Sequence, residues 1–276
     1  MRNRNLLNLK IKSFFGLIAF LFFFIYSHAQ SLDVAYVPTP DFVVERMLDM
    51  ANVGPGDYVI DLGCGDGRIN IAAAKRGAVG HGVDLDPERI KEARKNARDA
   101  GVADKVAFVE QNIYDTDFSR AKVIVMYLFP SINLKLRPSL LNNLEPGSRI
   151  VSHDFGMGDW KPDKQEGRME NHAVYLWIVP AKVKGSWSLE IDGEKYEMSI
   201  SQEFQEIEIE LASESSTFVV NDEMLSGQRI SFTAANKSGH QKLVFSGEVE
   251  EKRMEGIVQI HAGDNKTVEN WTAVME

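Results

Sequence analysis

The run Val59-Ile60-Asp61-Leu62-Gly63-Cys64-Gly65-Asp66-Gly67 constrains this chain more than any other feature. Three glycines at alternate positions follow a short apolar stretch and lead into a helical pattern over residues 67–76. A turn of that kind, at the carboxyl end of a buried strand and the start of a helix, lets backbone N–H groups come close to a ligand. The dinucleotide fingerprint needs its third glycine at position 68, where this chain has Arg68, and no Walker lysine follows. NAD, FAD and a phosphate-gripping P-loop are therefore not expected.

The surrounding residues place the loop in a repeated strand and helix pattern. Thr39 and Pro40 read as cap and opening of a helix that carries Phe42, Val43, Met47 and Ala51 on one face. Strands follow at 58–62 and 79–85, and Asp86, Pro87 and Glu88 start a helix that Gly101 ends. Strands at 106–111, 123–129 and 149–155, with a helix over 134–144, complete a doubly wound α/β half with a mostly parallel sheet.

Beyond Gly185 the apolar period becomes two. Trp187, Leu189 and Ile191, then Tyr196, Met198 and Ile200, then Ile207, Ile209 and Leu211 alternate with polar residues. Seven or eight such strands in the last 92 residues predict a small antiparallel barrel or sandwich. The expected division is a leader over 1–29, the α/β domain over 30–184 and a β domain over 185–276. That β domain holds 18 acidic against 7 basic side chains, a net of −11 in a chain whose total is −9. A solvated surface is the expected reading of that charge, and nucleic acid is excluded as a non-specific partner.

Asp84 stands 21 residues after Gly63 at the tip of the second strand, where a carboxylate can accept hydrogen bonds from both ribose hydroxyls of a nucleoside. Asn112 stands at the tip of the third. Loop, acid and amide together describe a nucleoside site. At these residues the chain resembles the class I S-adenosylmethionine-dependent methyltransferases, whose Asp-x-Gly-x-Gly-x-Gly loop matches Asp61 to Gly67. The resemblance implies S-adenosylmethionine as cofactor, with Asp61, Gly63, Cys64, Gly65 and Gly67 forming the loop around it. It further implies that Asp84 holds the ribose, Leu85 packs on the adenine, and Asn112 takes an adenine-edge position usually filled by aspartate.

Over residues 34–163 the chain is similar, more narrowly, to the small lysine methyltransferases related to the mitochondrial enzymes that modify the ATP synthase c-subunit and the adenine nucleotide carrier. Tyr36 to Pro40, Tyr127 to Pro130, Ser152 to Phe155 and Trp160 carry that likeness. It implies a protein lysine as acceptor, ahead of a small molecule.

Methyl transfer from a sulfonium needs positioning and desolvation more than acid or base chemistry. Tyr127 and Pro130, at the fourth strand tip, are the expected substrate-side residues, and Tyr36 is a candidate lid over the cofactor. His153 and Asp154 end the fifth strand, where an ammonium can lose its proton, with structural hydrogen bonding as the alternative role. Trp160 and Pro162 are expected in a loop at the same edge, the indole buried against the sheet in preference to facing a target. The remaining histidines are scattered without ligand spacing, so no metal site is expected. The lone Cys64 forms no internal disulfide.

Arg2, Arg4, Lys10 and Lys12 precede an apolar run from Phe14 to Tyr26, and Ser27, His28 and Ala29 follow. That is the layout of a secretory signal peptide cut after Ala29, or else of a short anchor, and it predicts an exported, periplasmic or membrane-associated protein. A membrane-proximal target would suit that location. Export raises a question of supply, because S-adenosylmethionine is made in the cytoplasm. A non-catalytic envelope protein that keeps the nucleoside fold and binds partners through its β domain is the alternative reading.

Overall fold

The computed structural model describes residues 36–276, apart from residues 192, 215 and 238 and the side chains of residues 168 and 169. The leader expected over 1–29 lies outside the described residues. Among the described residues no helix is long and apolar enough to cross a membrane.

The chain runs α1 (Asp41–Met50), β1 (Tyr58–Leu62), α2 (Arg68–Lys75), β2 (Val79–Asp84), α3 (Pro87–Asp99), β3 (Val106–Glu110), β4 (Val123–Met126), α4 (Pro130–Asn143) and β5 (Arg149–His153). A hairpin of β6 (Lys164–Met169) and β7 (His172–Ile178) completes a seven-stranded sheet of order β3-β2-β1-β4-β5-β7-β6. The five strands from β3 to β5 are parallel, and β7 runs against both β5 and β6. The doubly wound fold is as the sequence predicts. Because β1 lies between β2 and β4, the chain leaves it in opposite directions, and the crevice at that switch point opens at the carboxyl ends of the strands.

Side chains alternate across β1, so Val59 packs with α1 and α2 on one face while Ile60 and Leu62 pack with α4 on the other. Three local expectations shift. Helix α4 starts at Pro130, four residues before Leu134, because proline's fixed φ suits the first helical position. Strand β4 correspondingly ends at Met126. Thr39 does not cap α1: Pro40 holds that position without a side-chain bond. The β6–β7 hairpin has no counterpart in the sequence reading.

The second half is a closed antiparallel barrel of eight strands, β8 (Gly185–Ile191), β9 (Glu194–Glu203), β10 (Glu206–Ser213), β11 (Thr217–Ser226), β12 (Arg229–Asn236), β13 (Gln241–Glu250), β14 (Arg253–Ala262) and β15 (Asn265–Met275). Each strand pairs with its sequence neighbours, and β15 closes on β8 through Trp271 to Met275. The alternating residues read from the sequence point inward, and Trp187, Phe232, Phe245 and Trp271 fill the interior. Gly247 and Gly256 face each other across β13 and β14, where a Cβ at Gly247 would strike the Trp271 indole.

The barrel meets the sheet at the amino ends of its strands. Phe204, in the β9–β10 turn, stacks on Trp160 with centroids 5.7 Å apart, and Gln205 accepts from the Trp160 indole N–H at 2.8 Å while donating to the Lys161 carbonyl at 2.8 Å. In the β11–β12 turn Gly227 sits against Gly147, and its carbonyl accepts from Ala181 N–H. The expectation that Trp160 and Pro162 share the ligand-facing edge is thereby corrected. Strand β6 is parallel to β5, so the loop between them must return to the amino edge, where Trp160 is buried with 1% exposure.

Gly67 and Gly101 separate backbone from packing costs. Both have positive φ, 80° and 69°, but a Cβ at Gly67 would lie 2.6 Å from Phe108 Cζ, whereas one at Gly101 meets nothing within 4 Å. Gly101→Ala is expected to cost about 1 kcal/mol from backbone strain alone. Gly67→Ala should cost about 1–3 kcal/mol beyond that. Urea midpoints at unchanged slope measure both, and equal losses would show that Phe108 yields freely.

Candidate active site

The site is built where β1 and β2 end. Gly63 N–H and Cys64 N–H both donate to the Val83 carbonyl at 2.9 Å, which folds the loop back over the tip of β2. Gly65 N–H donates to Asp84 Oδ2 and Asp86 N–H to Asp84 Oδ1, each at 2.9 Å. One carboxylate thus fixes the glycine loop and the start of α3. Each of its oxygens keeps a further lone pair for a ligand hydroxyl. Gly63, Gly65 and Gly67 all have positive φ, a conformation in which L side chains are strained.

Asp61 lies beneath this loop, 2% exposed, and its Oδ2 has no hydrogen-bond donor facing it. Burial, and then the nearby Asp84 and Asp66 charges, push its carboxyl well above the ordinary range. A buried carboxyl without a cation is a costly arrangement that an ammonium group would relieve. The residues present therefore fit the amino-acid end of S-adenosylmethionine. Burial also pushes the Cys64 thiol up, so it packs as a small apolar group under the loop.

The arm leading to α1 crosses the same edge. The Tyr36 ring occupies the space beside Gly65 where a Cβ would go, with Arg89 stacked 4.8 Å from its centroid. Arg68, the residue that breaks the dinucleotide pattern, explains itself here. Its guanidinium pairs with Asp66 at 2.7 Å and donates to the Thr39 carbonyl at 2.9 Å, fastening the arm to the loop. Leu85 is half-buried beyond Asp84, and Asn112 Oδ1 accepts from Tyr114 N–H, capping a short turn.

Tyr127 has different surroundings. Its half-buried ring lies 3.9 Å from the His153 ring and stacks on Phe155 at 6.0 Å, with the Asp154 carboxylate near its hydroxyl. Burial and then Asp154 raise its pKa. Pro130 is exposed at the start of α4. Thr39 Oγ1 lies 3.3 Å from His153 Nδ1, which is where the hydroxyl expected to cap α1 goes. Tyr36 thus belongs to the cofactor loop and Tyr127 to the tips of β4 and β5.

The reading of the histidines as scattered is also corrected. His172, which sequence reasoning missed, opens β7 and stands 2.9 Å from His153 Nε2. Asp154 Oδ2 lies 3.2 Å from His153 and 3.3 Å from His172. The hairpin turn produces this cluster, and a separation of 19 residues in sequence hides it. Burial holds the His153 imidazole down to about 4, so the ring is neutral at pH 7.

Residues 61–164 match the ANTKMT methyltransferase domain family. A protein-lysine N-methyltransferase from Saccharolobus islandicus (strain REY15A) is 45% identical over 154 residues, which cover 53% of this chain and 94% of the archaeal protein. The adenine nucleotide translocase lysine N-methyltransferase of Mus musculus is 33% identical over 132 residues, 48% of this chain and 57% of the mouse one. This chain therefore spans little more than half of that relative. A solved structure described as an RNA methyltransferase from Salinibacter ruber, in complex with S-adenosyl-L-homocysteine, is 50% identical with a TM-score of 0.52. The match covers 53% of this chain and 96% of that one. The extent and level of identity to the archaeal protein, on the fold and loop described above, place this chain in the class I S-adenosylmethionine-dependent methyltransferases, in the family of the protein-lysine methyltransferases.

Proposed function

We propose that the protein transfers a methyl group from S-adenosylmethionine to the ε-amine of a protein lysine. The observation that carries this is the 45% identity to the archaeal protein-lysine methyltransferase over nearly its whole length. Bound in the crevice, the cofactor supplies an electrophilic methyl on a positively charged sulfur.

The chain's residues do the rest by placement. Asp84 accepts the ribose hydroxyls with the lone pairs its loop bonds leave, and Asp61 receives the amino-acid ammonium. Gly63, Cys64, Gly65 and Gly67 would keep the loop close to the ligand, with half-buried Leu85 to pack on the adenine and Asn112 to meet its edge. Tyr36 closes the outer side. The lysine ammonium sheds its proton to solvent, and Tyr127, held at the tip of β4 by its packing on His153, borders the approach of the free amine and orients it.

The Salinibacter relative favours RNA as a second acceptor. Charge opposes it at the β domain, whose 18 acidic and 7 basic side chains repel a polyanion. The basic start, the apolar run and Ser27-His28-Ala29 support an exported or membrane-associated location, with a membrane-proximal protein as target.

Calorimetry with S-adenosylhomocysteine should show one site. Asp84→Ala is expected to cost roughly 1.5–3 kcal/mol, or about 10- to 150-fold in affinity. Full affinity in that variant would remove Asp84 from the site. With radiolabelled cofactor and an envelope extract, label should appear in protein and resist ribonuclease, and mass spectrometry should find it on lysine. Ribonuclease-sensitive label would replace the lysine reading with the RNA one. Tyr127→Phe should keep most of the turnover if the ring and not its hydroxyl orients the amine, whereas Tyr127→Ala should lose about 10- to 100-fold in kcat. Fractionation of a carboxyl-tagged chain should find it outside the cytoplasm, and a soluble cytoplasmic chain would refute export.

A further inference from the structure

We infer that His153, Asp154 and His172 form a binding site for one divalent first-row transition ion of the Zn2+ class. Three potential ligand atoms converge there: His153 Nε2, His172 Nδ1 and Asp154 Oδ2, separated by 2.9, 3.2 and 3.3 Å. Zinc bonds of 2.0–2.2 Å in tetrahedral geometry put neighbouring ligand atoms roughly 3.3–3.6 Å apart. Opening the cluster by a few tenths of an ångström admits the ion.

The outer contacts hold these atoms in ligand form. His153 Nδ1 faces Thr39 Oγ1 at 3.3 Å, and a proton donated to that hydroxyl leaves the lone pair on Nε2. Ala173 N–H donates to Asp154 Oδ1 at 2.7 Å, so that Oδ2 alone turns to the cluster. Phe42 meets the His172 ring edge to face, 5.9 Å between centroids. Non-glycine residues in the left-handed region position two of the three: Asp154 at φ 60°, and Glu170 and Asn171, at 49° and 73°, in the turn that delivers His172.

Electrostatics calls for a positive centre. Three mutually close acceptors repel unless a proton or a cation lies between them, and the His153 ring is fully buried. Two imidazoles and one carboxylate suit zinc and its neighbours better than Mg2+ or Ca2+, which prefer all-oxygen shells. His172 and Asp154 have side-chain exposures of 28% and 21%, which leaves the ion a way in and an open coordination position. This site does not depend on which acceptor is methylated.

The test is a titration of the full chain, stripped with chelator, with Co2+ followed by visible absorption and with Zn2+ followed by calorimetry. Saturation at one equivalent is expected, with Zn2+ displacing Co2+. His172→Ala should weaken binding by about 100-fold, and the near-isosteric Asp154→Asn by at least about tenfold. Circular dichroism and S-adenosylhomocysteine affinity of each variant verify folding and keep this result separate from the cofactor site. If His172→Ala does not fold, Asp154→Asn decides. No saturable binding, or binding that the folded variants leave unchanged, would overturn the site and show that the three groups share a proton instead.

Discussion

The carboxylate of Asp84 bonds two backbone segments at once, Gly65 in the loop after β1 and Asp86 at the start of α3. It sets the distance between the first two strand tips. With the Val83 carbonyl taking Gly63 and Cys64, the loop has one conformation available, and that conformation requires positive φ at three glycines. Arg68 then begins α2 in a position to reach both Asp66 and the Thr39 carbonyl. The arm with Tyr36 and the tip of β5 are thus arranged around one loop.

The glycine loop and the barrel lie at opposite edges of the same sheet. The parallel strands deliver the glycine loop, Asp84 and Tyr127 to the carboxyl edge, and the β6–β7 turn brings His172 there as well. The loop from β5 to β6 has to cross to the other edge, and it carries Trp160 into contact with Phe204 and Gln205 of the barrel. The strongly acidic barrel is accordingly held away from the cofactor loop. Its interior is filled by four large aromatic side chains and their neighbours, which makes it a packed core.

Local signals were legible wherever backbone conformation or period decides the outcome. The glycine loop, the Asp86-Pro87 helix start and the alternation from Trp187 onward each read directly as the element that forms. Thr39 shows the limit. Its position suits a cap, but a buried imidazole competes for the same hydroxyl and wins it. The β6–β7 hairpin was illegible because its turn is Glu170-Asn171, without the glycine that usually marks such a turn.

By itself the sequence determined the doubly wound α/β half, an antiparallel β half, the glycine loop with Asp84 at the next strand tip, and the family, because these rest on short-range backbone preferences and residue spacing. Tertiary structure alone decided which edge Trp160 joins, what Arg68 and Thr39 bind, and that His172 meets His153 and Asp154. Those contacts depend on strand direction and on long-range pairing, which no local pattern encodes.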